Sequence, residues 1–469
     1  MPVMFPPCPT TFEVDRRRAS RWSTSGILLS LILSAAAHGQ VREPPPETGA
    51  TPDASLGQVE SVAPDSAEIV TRFEASIELE RLIEAQNYEA ATAVGERLLT
   101  LTQEEFGEIS SETANAHVAL AQAYRANDDR DAAEQHYLDA IVVFREVGGA
   151  FSESLISPLL GLGDNYQDGG QYLNAVSAYN EARTINRRVF GLLDEGQIAI
   201  LDRMTQSFLA MDEYEQAEAQ QRAALMLVER RHERHSVETL DAIYKYAGWL
   251  LDRRRYTEER DQYQRALRII RDNYDDGSVL MVRPLRETGN SFRNQGAAVS
   301  QGITGLMTAL ELLESQDDPD ALALARVLVD IGDWETAFSR VGTDGSSYRR
   351  AWQLLEKVDG GDALRREWFG GIEYVSREPL SQRGLSAAPD AVRGFVLVRF
   401  DLNTLGHTEN VTILEAEPPN LKDDAVARHV RQSRFRPYMN EGEVVPRRNL
   451  ALRVTFRYAP TAIEGEGSG

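Results

Sequence analysis

The chain has 469 residues, 42% hydrophobic and 26% charged. That is the make-up of a globular protein long enough for two or three domains, and not of collagen, mucin, a multi-span membrane protein or a wholly disordered chain. Seventy-three acidic against 50 basic side chains give a formal net charge of -23 and a pI near 4.8, which argues against general binding of nucleic-acid phosphates or anionic headgroups.

The single cysteine, Cys8, lies in the first segment. There Arg16, Arg17, Arg18 and Arg21 precede the apolar run 26–37 (GILLSLILSAAA) and small residues ending at Gly39, the three-part order of a secretory signal. The run is shorter than the roughly 20 residues a helix needs to cross a bilayer. Residues 1–39 therefore read as a signal peptide cleaved after Ala37 or Gly39, with an uncleaved anchor as the alternative. The arginine triplet lacks the hydrophobic residues that twin-arginine export requires directly after it. Cleavage removes four arginines and two acids, giving a mature net charge of -25, and leaves no thiol. Residues 40–66 carry Pro44, Pro45, Pro46, Pro52 and Pro64 with few large apolar side chains, so they read as a disordered linker.

From residue 67 the chain repeats itself every 42 residues. Tyr172, Ala175, Tyr179 and Ala182 recur as Ala133, Tyr137 and Ala140 one period earlier, and as Tyr214, Ala217 and Ala224 one period later. Tyr256, Tyr263 and Ala266 follow, and Tyr88 and Ala91 open the series. An earlier helix of each unit keeps the same register in Leu120, Ala121 and Tyr124; Leu162, Gly163 and Tyr166; Met204 and Phe208; Tyr246, Ala247 and Leu250; and Gly289 and Phe292. A unit with Ile331, Gly332, Tyr348 and Ala351 follows a one-residue insertion. Small residues belong where two helices cross closely, and the tyrosines and leucines fill the space between units. Each unit is predicted to be a helical hairpin that buries its apolar face only against its neighbours.

These phrases resemble the tetratricopeptide repeat (TPR) family, in the longer variety of kinesin light chains, whose inter-repeat loop is similar to Phe106-Gly107 with Thr113, Phe190-Gly191 and residues 232–239 (HERHSVET). A HEAT-type solenoid is the alternative. The resemblance implies an α-solenoid of about seven repeats over residues 67–360, binding protein or peptide along the inner face of its first helices. On that face it places Gln122, Arg125, Asp164, Gln167, Gln206, Asn290 and Arg293, with Glu80, Gly248 and Asp333 in the same register. Ordinary solvated helix polarity is the competing reading. The Lys/Asn clamp with which some TPR domains hold a C-terminal carboxylate is not reproduced.

After residue 360 the period becomes two. Val396, Val398, Phe400 and Leu402 alternate with Leu397, Arg399 and Asp401, Asn403 to Gly406 makes a turn, and residues 407–415 form a second strand with Val411 and Ile413 inward. A helix over 421–433 follows, with Asn420 as N-cap, and a last strand alternates Leu450, Leu452, Val454, Phe456 and Tyr458. This β-β-α-β order, with residues 394–400 (GFVLVRF), Gly406, Phe435-Arg436-Pro437 and Gly442, resembles the C-terminal domain of TonB over residues 366–459. The family's Tyr-Pro before the first strand is replaced by Leu380-Ser381. The chain is thus read as multidomain, an all-α TPR-like solenoid followed by a small α+β TonB C-terminal-like domain at 365–459 and a disordered tail at 460–469.

The second resemblance implies binding by strand addition, and the expected edge is the last strand, through Ala451, Arg453, Thr455 and Arg457. Residues 365–459 hold 15 basic and 12 acidic side chains, net +3, so the rest of the mature chain carries about -28. Intramolecular docking and recognition of an acidic partner segment by Arg453 and Arg457 both fit that asymmetry, with ordinary solvated charge as the competing reading. No phosphate-binding loop, Gly-x-Ser-x-Gly elbow or Cys/His pair is present; His232 and His235 lack a third ligand. An enzyme, a cofactor and a metal are not expected. The expected function is a periplasmic adaptor for envelope proteins or peptides, with no nucleic acid partner and with membrane contact only if the leader stays uncleaved. The alternative is a TonB-type energy transducer anchored in the inner membrane and acting on outer-membrane receptors.

Overall fold

A computed structural model describes residues 71–338, 344–381, 385 and 391–459. The signal segment, the proline-rich linker and the tail at 460–469 lie outside the described residues. The chain divides into two compact units, Gly57–Ser278 and Val279–Gly469.

The first unit holds five helical hairpins. They are α1 (Arg72–Glu84) with α2 (Tyr88–Phe106), α3 (Ser111–Ala126) with α4 (Arg130–Gly148), α5 (Ile156–Asp168) with α6 (Tyr172–Val189), α7 (Gly196–Ala210) with α8 (Tyr214–His232), and α9 (Leu240–Asp252) with α10 (Tyr256–Asn273). The second unit adds two more, α11 (Val282–Gln295) with α12 (Ser300–Glu314) and α13 (Ala321–Phe338) with α14 (Ser346–Leu355), before α15 (Gly361–Phe369).

The turn inside each hairpin follows the same 42-residue beat. Gln86, Asp128, Gly170, Asp212, Arg254 and Gly296 all have φ between 55° and 75°, the left-handed conformation that ends a helix. After each of them the next backbone N–H reaches back to close the turn: Asn87 to Leu82 O, Asp129 to Tyr124 O, Gln171 to Tyr166 O, Glu213 to Phe208 O, Arg255 to Leu250 O and Ala297 to Phe292 O, all at 2.8–3.0 Å. The next helix starts at once in the first five and at Ser300 in the sixth, and where the residue before it is Asn87 or Asp129 its side chain accepts from the third helical N–H.

The small residues sit where the register requires close approach. Ala75, Ala91, Ala121, Ala133, Ala175 and Ala182 are fully buried. A Cβ on Gly163 would overlap the Tyr179 ring, and one on Gly332 would stand 2.6 Å from Tyr348 Cε1. The TPR-like α-solenoid architecture follows from this packing, with Tyr137, Tyr179 and Tyr348 among the largest wholly buried side chains.

The strand-rich part comprises β1 (Tyr374–Ser376), β2 (Val392–Leu402), β3 (Thr408–Glu417), α16 (Asp423–Gln432), β4 (Arg434–Phe435), β5 (Met439–Asn440), β6 (Glu443–Val444) and β7 (Arg447–Tyr458). Three strands form an antiparallel sheet in the order β3-β2-β7, and β1 pairs β4 and β5 pairs β6 in two small ribbons. Val396, Val398, Phe400 and Leu402 of β2 pack with Val426 and Val430 of α16 and with Leu450, Val454, Phe456 and Tyr458 of β7.

Two expectations are corrected here. Ile413 pairs with the buried Val398 yet is 37% exposed and outside the core cluster, because β3 is the outer strand of the order β3-β2-β7. Asn420 is not the N-cap: α16 starts at Asp423, after Lys422, while Asn420 takes φ 68° in the preceding turn. Lys422 instead donates from Nζ to Ser381 O at 2.9 Å.

Candidate functional site

The strand edge comes first, because an exposed backbone ladder is a binding surface in itself. Among the described residues β7 has a hydrogen-bonded neighbour on one side only, and its pairing with β2 runs without a shift from Val392↔Tyr458 to Phe400↔Leu450, with one shift before Leu402↔Arg447. On its outer face Ala451 and Arg453 are exposed, and Thr455 and Arg457 are half-buried. Arg453 lays its guanidinium over the Phe395 ring, 3.6 Å from the centroid, and Arg457 donates to Ala391 O at 3.2 Å. Both cations therefore lean back toward β2. The opposite edge, β3, is broken by its two register shifts and exposes Leu414 at 49%.

The inner-face residues divide between the two units. In the first unit, α3, α5 and α7 carry a bonded ladder. Arg125 Nε donates to Asp168 Oδ2 at 2.8 Å and lies 3.7 Å from Asp164; Asp164 Oδ1 accepts from Arg203 Nε at 2.9 Å and from the Tyr179 hydroxyl at 2.7 Å. Gln167 donates to Gln206 Oε1 at 3.3 Å and accepts from Ser207 Oγ at 2.7 Å. Gln122 stands half-buried in α3. Five of the seven expected residues are thus in one unit, and four of them are linked by polar contacts.

Asn290 and Arg293 are not open to a peptide. Arg293, on α11, donates through Nη1 to Val375 O of β1 at 3.1 Å and through Nη2 to Asn290 Oδ1 at 3.3 Å. The chain's own extended segment covers this part of the face. Beside it Asp333, 1% exposed on α13, receives Arg436 in a two-pronged pair, Nε to Oδ1 at 2.8 Å and Nη2 to Oδ2 at 2.7 Å. Arg436 also donates to Trp368 O at 2.7 Å, and the Tyr348 hydroxyl donates to Asp333 at 3.0 Å. Burial tends to raise the Asp333 carboxyl, but the Arg436 and Arg293 charges outweigh it and hold the group below its ordinary range. Nearby Asp330, half-buried on α13 with Arg286 Nε 2.6 Å from its Oδ2, is pushed up to about 6, burial outweighing the Arg286 and Arg293 charges.

Sequence reasoning missed one cluster. His117 of α3 and His136 and Asp139 of α4 bring their ligand atoms within 4.8 Å of one another. Two histidines 19 residues apart show no motif until a hairpin lays one helix on the other. The same separation joins Asp202 to Gln221 at 3.0 Å. His232, by contrast, meets Glu195 at 2.5 Å.

Stacked helical hairpins followed by a small three-stranded sheet are the architecture to be compared with known proteins. Residues 112–188 match the tetratricopeptide repeat family, and residues 386–458 match the Gram-negative bacterial TonB protein C-terminal. These two stretches of the chain are thus similar to a tetratricopeptide repeat and to a TonB C-terminal domain. The TPR-like repeats of a Podosopora anserina protein named for kinesin light chain are 13% identical, over 43% of this chain and 96% of that one, at a TM-score of 0.37. The C-terminal part of a TPR repeat-containing protein from Cytophaga hutchinsonii is 11% identical over 60% and 94%, also at 0.37. A tetratricopeptide repeat protein from Parabacteroides merdae is 14% identical over 62% and 92%, at 0.31. At such scores these likenesses carry no weight for function. No curated protein matches the chain. Repeats of this kind point to protein–protein interaction and the TonB-type domain to the Gram-negative envelope; both families are typically non-enzymatic. No helix among the described residues is long and apolar enough to cross a membrane.

Proposed function

We propose that this protein is a periplasmic adaptor that holds envelope proteins or peptides, adding a partner strand to β7. The observation that carries the reading is the β7 ladder, single-sided among the described residues and unshifted from Leu450 to Tyr458, the sheet edge best suited to accept another strand. The bonded ladder of α3, α5 and α7 offers a second surface, for an extended peptide able to replace the Arg125–Asp164–Arg203 contacts. Outer-membrane receptors are among the candidate partners, through the likeness to TonB.

The test is capture from a Gram-negative envelope extract by the whole chain and by its Thr455→Pro variant. Proline removes a backbone donor, so a variant that keeps the wild-type circular dichroism yet loses its partner supports strand addition. A folded variant with unchanged capture moves the binding function to the helical face. N-terminal sequencing of the exported protein separates adaptor from transducer: a start at His38 or Gln40 supports the adaptor, and an intact leader supports an anchored energy transducer.

A further inference from the structure

We propose that His117, His136 and Asp139 form a site for a divalent transition-metal ion of the zinc class, held across the α3–α4 hairpin. Nothing in the binding reading above requires such a site, and its test is separate.

The geometry carries the proposal. His117 Nδ1 and His136 Nδ1 face each other at 3.0 Å across the two helices. Only one proton fits between two such nitrogens, so the pair is either a single N–H···N bond or two ligands to one cation. An ion bound at about 2.0–2.1 Å from each nitrogen holds them roughly 3 Å apart, so little movement is needed to exchange the proton for a metal. Asp139 follows His136 by three residues, on the same face of α4, and brings a carboxylate oxygen within 4.8 Å of both. The hairpin thus supplies three ligands from two rigid helices.

The surroundings fix the ligands. Gln135 donates from Nε2 to Asp139 Oδ1 at 3.0 Å, which orients the carboxylate. Tyr124 stacks on His136, 5.5 Å between centroids and 11° between planes, while its hydroxyl donates to Glu96 at 2.5 Å. Burial is the largest influence on both imidazoles and lowers both, the facing ring adding to the effect at His117; Asp139 acts in the opposite sense on both rings, and Glu96 on His136. Two imidazoles with one carboxylate select Zn2+, Co2+ or Ni2+ over Mg2+ and Ca2+, which prefer oxygen, and leave a fourth position for water or an outside ligand.

The test uses the whole chain, purified without a histidine tag and stripped with a chelator. Zn2+ titrated by calorimetry should bind with one-to-one stoichiometry and raise the melting temperature, Mg2+ should do neither, and Co2+ should give the visible absorption of a low-coordinate site. His117→Gln and His136→Gln, each shown by circular dichroism to keep its helix content, should weaken Zn2+ binding at least tenfold, whereas His232→Gln with His235→Gln should leave it unchanged. Absence of saturable binding to the wild-type chain overturns the proposal. So does binding that survives His117→Gln or disappears only in the His232 variant. Should His117→Gln unfold the hairpin, Asp139→Asn decides: an altered Co2+ spectrum supports the site and an unaltered one overturns it.

Discussion

Arg436 shows how one side chain sets the behaviour of a whole unit. Its guanidinium is spent on Asp333 and on Trp368 O, deep between α13 and the segment that enters β1. Removing one partner of a buried pair leaves the other charge without compensation, which costs about 3–5 kcal/mol. Arg436→Ala should therefore lower the melting temperature of the second unit by several degrees, read by near-ultraviolet circular dichroism; a wild-type melt would show the pair to be dispensable. Asp330 makes the opposite kind of prediction. Its folded value of about 6 lies above that of an unfolded aspartate, so its contribution to stability is present at low pH and is lost as pH rises through 6. Between pH 7 and 5 the wild-type chain should gain on the order of 1 kcal/mol relative to Asp330→Asn in paired denaturant titrations. A difference that is flat, or that falls toward pH 5, contradicts the assignment.

At the scale of elements, the 42-residue beat was legible because each period carries the same steric demands. Ala175, fully buried at a close crossing, is such a position; Ala175→Trp should cost several kcal/mol through overpacking, measured as a lowered thermal midpoint. The turn residues add a subtler test. Arg254 holds φ 55° where the equivalent turns at Gly170 and Gly296 have glycine, so Arg254→Gly should be neutral or stabilise by up to about 1 kcal/mol despite the added freedom of the unfolded chain. Clear destabilisation in a denaturant titration would contradict this. The strand-rich part was legible to the level of strand and helix order, but the inward placing of Ile413 failed. Alternation does not say which strand lies at the edge of a sheet, where a side chain paired with a buried neighbour such as Val398 still meets solvent. The Asn420 cap failed for a related reason: a local signature does not say where the chain needs its turn.

At the scale of the molecule, the limit of sequence reading was long-range contact. The pattern changes from helix to strand after residue 360, yet the compact units divide at Ser278, because residues far apart in sequence, Asp333 with Arg436 and Arg293 with Val375, tie the last hairpins to the strands. A fragment that starts at residue 365 would sever these bonds, so the binding test belongs to the whole chain. The central claim, strand addition at β7, is tested most directly by placing a photo-crosslinking residue at Ala451 on β7, at Leu414 on β3 and at Gln206 on α7, and exposing each chain to envelope extract. The account predicts a discrete crosslinked partner from position 451 and none from 414. Crosslinks from 414, or from 206 alone, would contradict it.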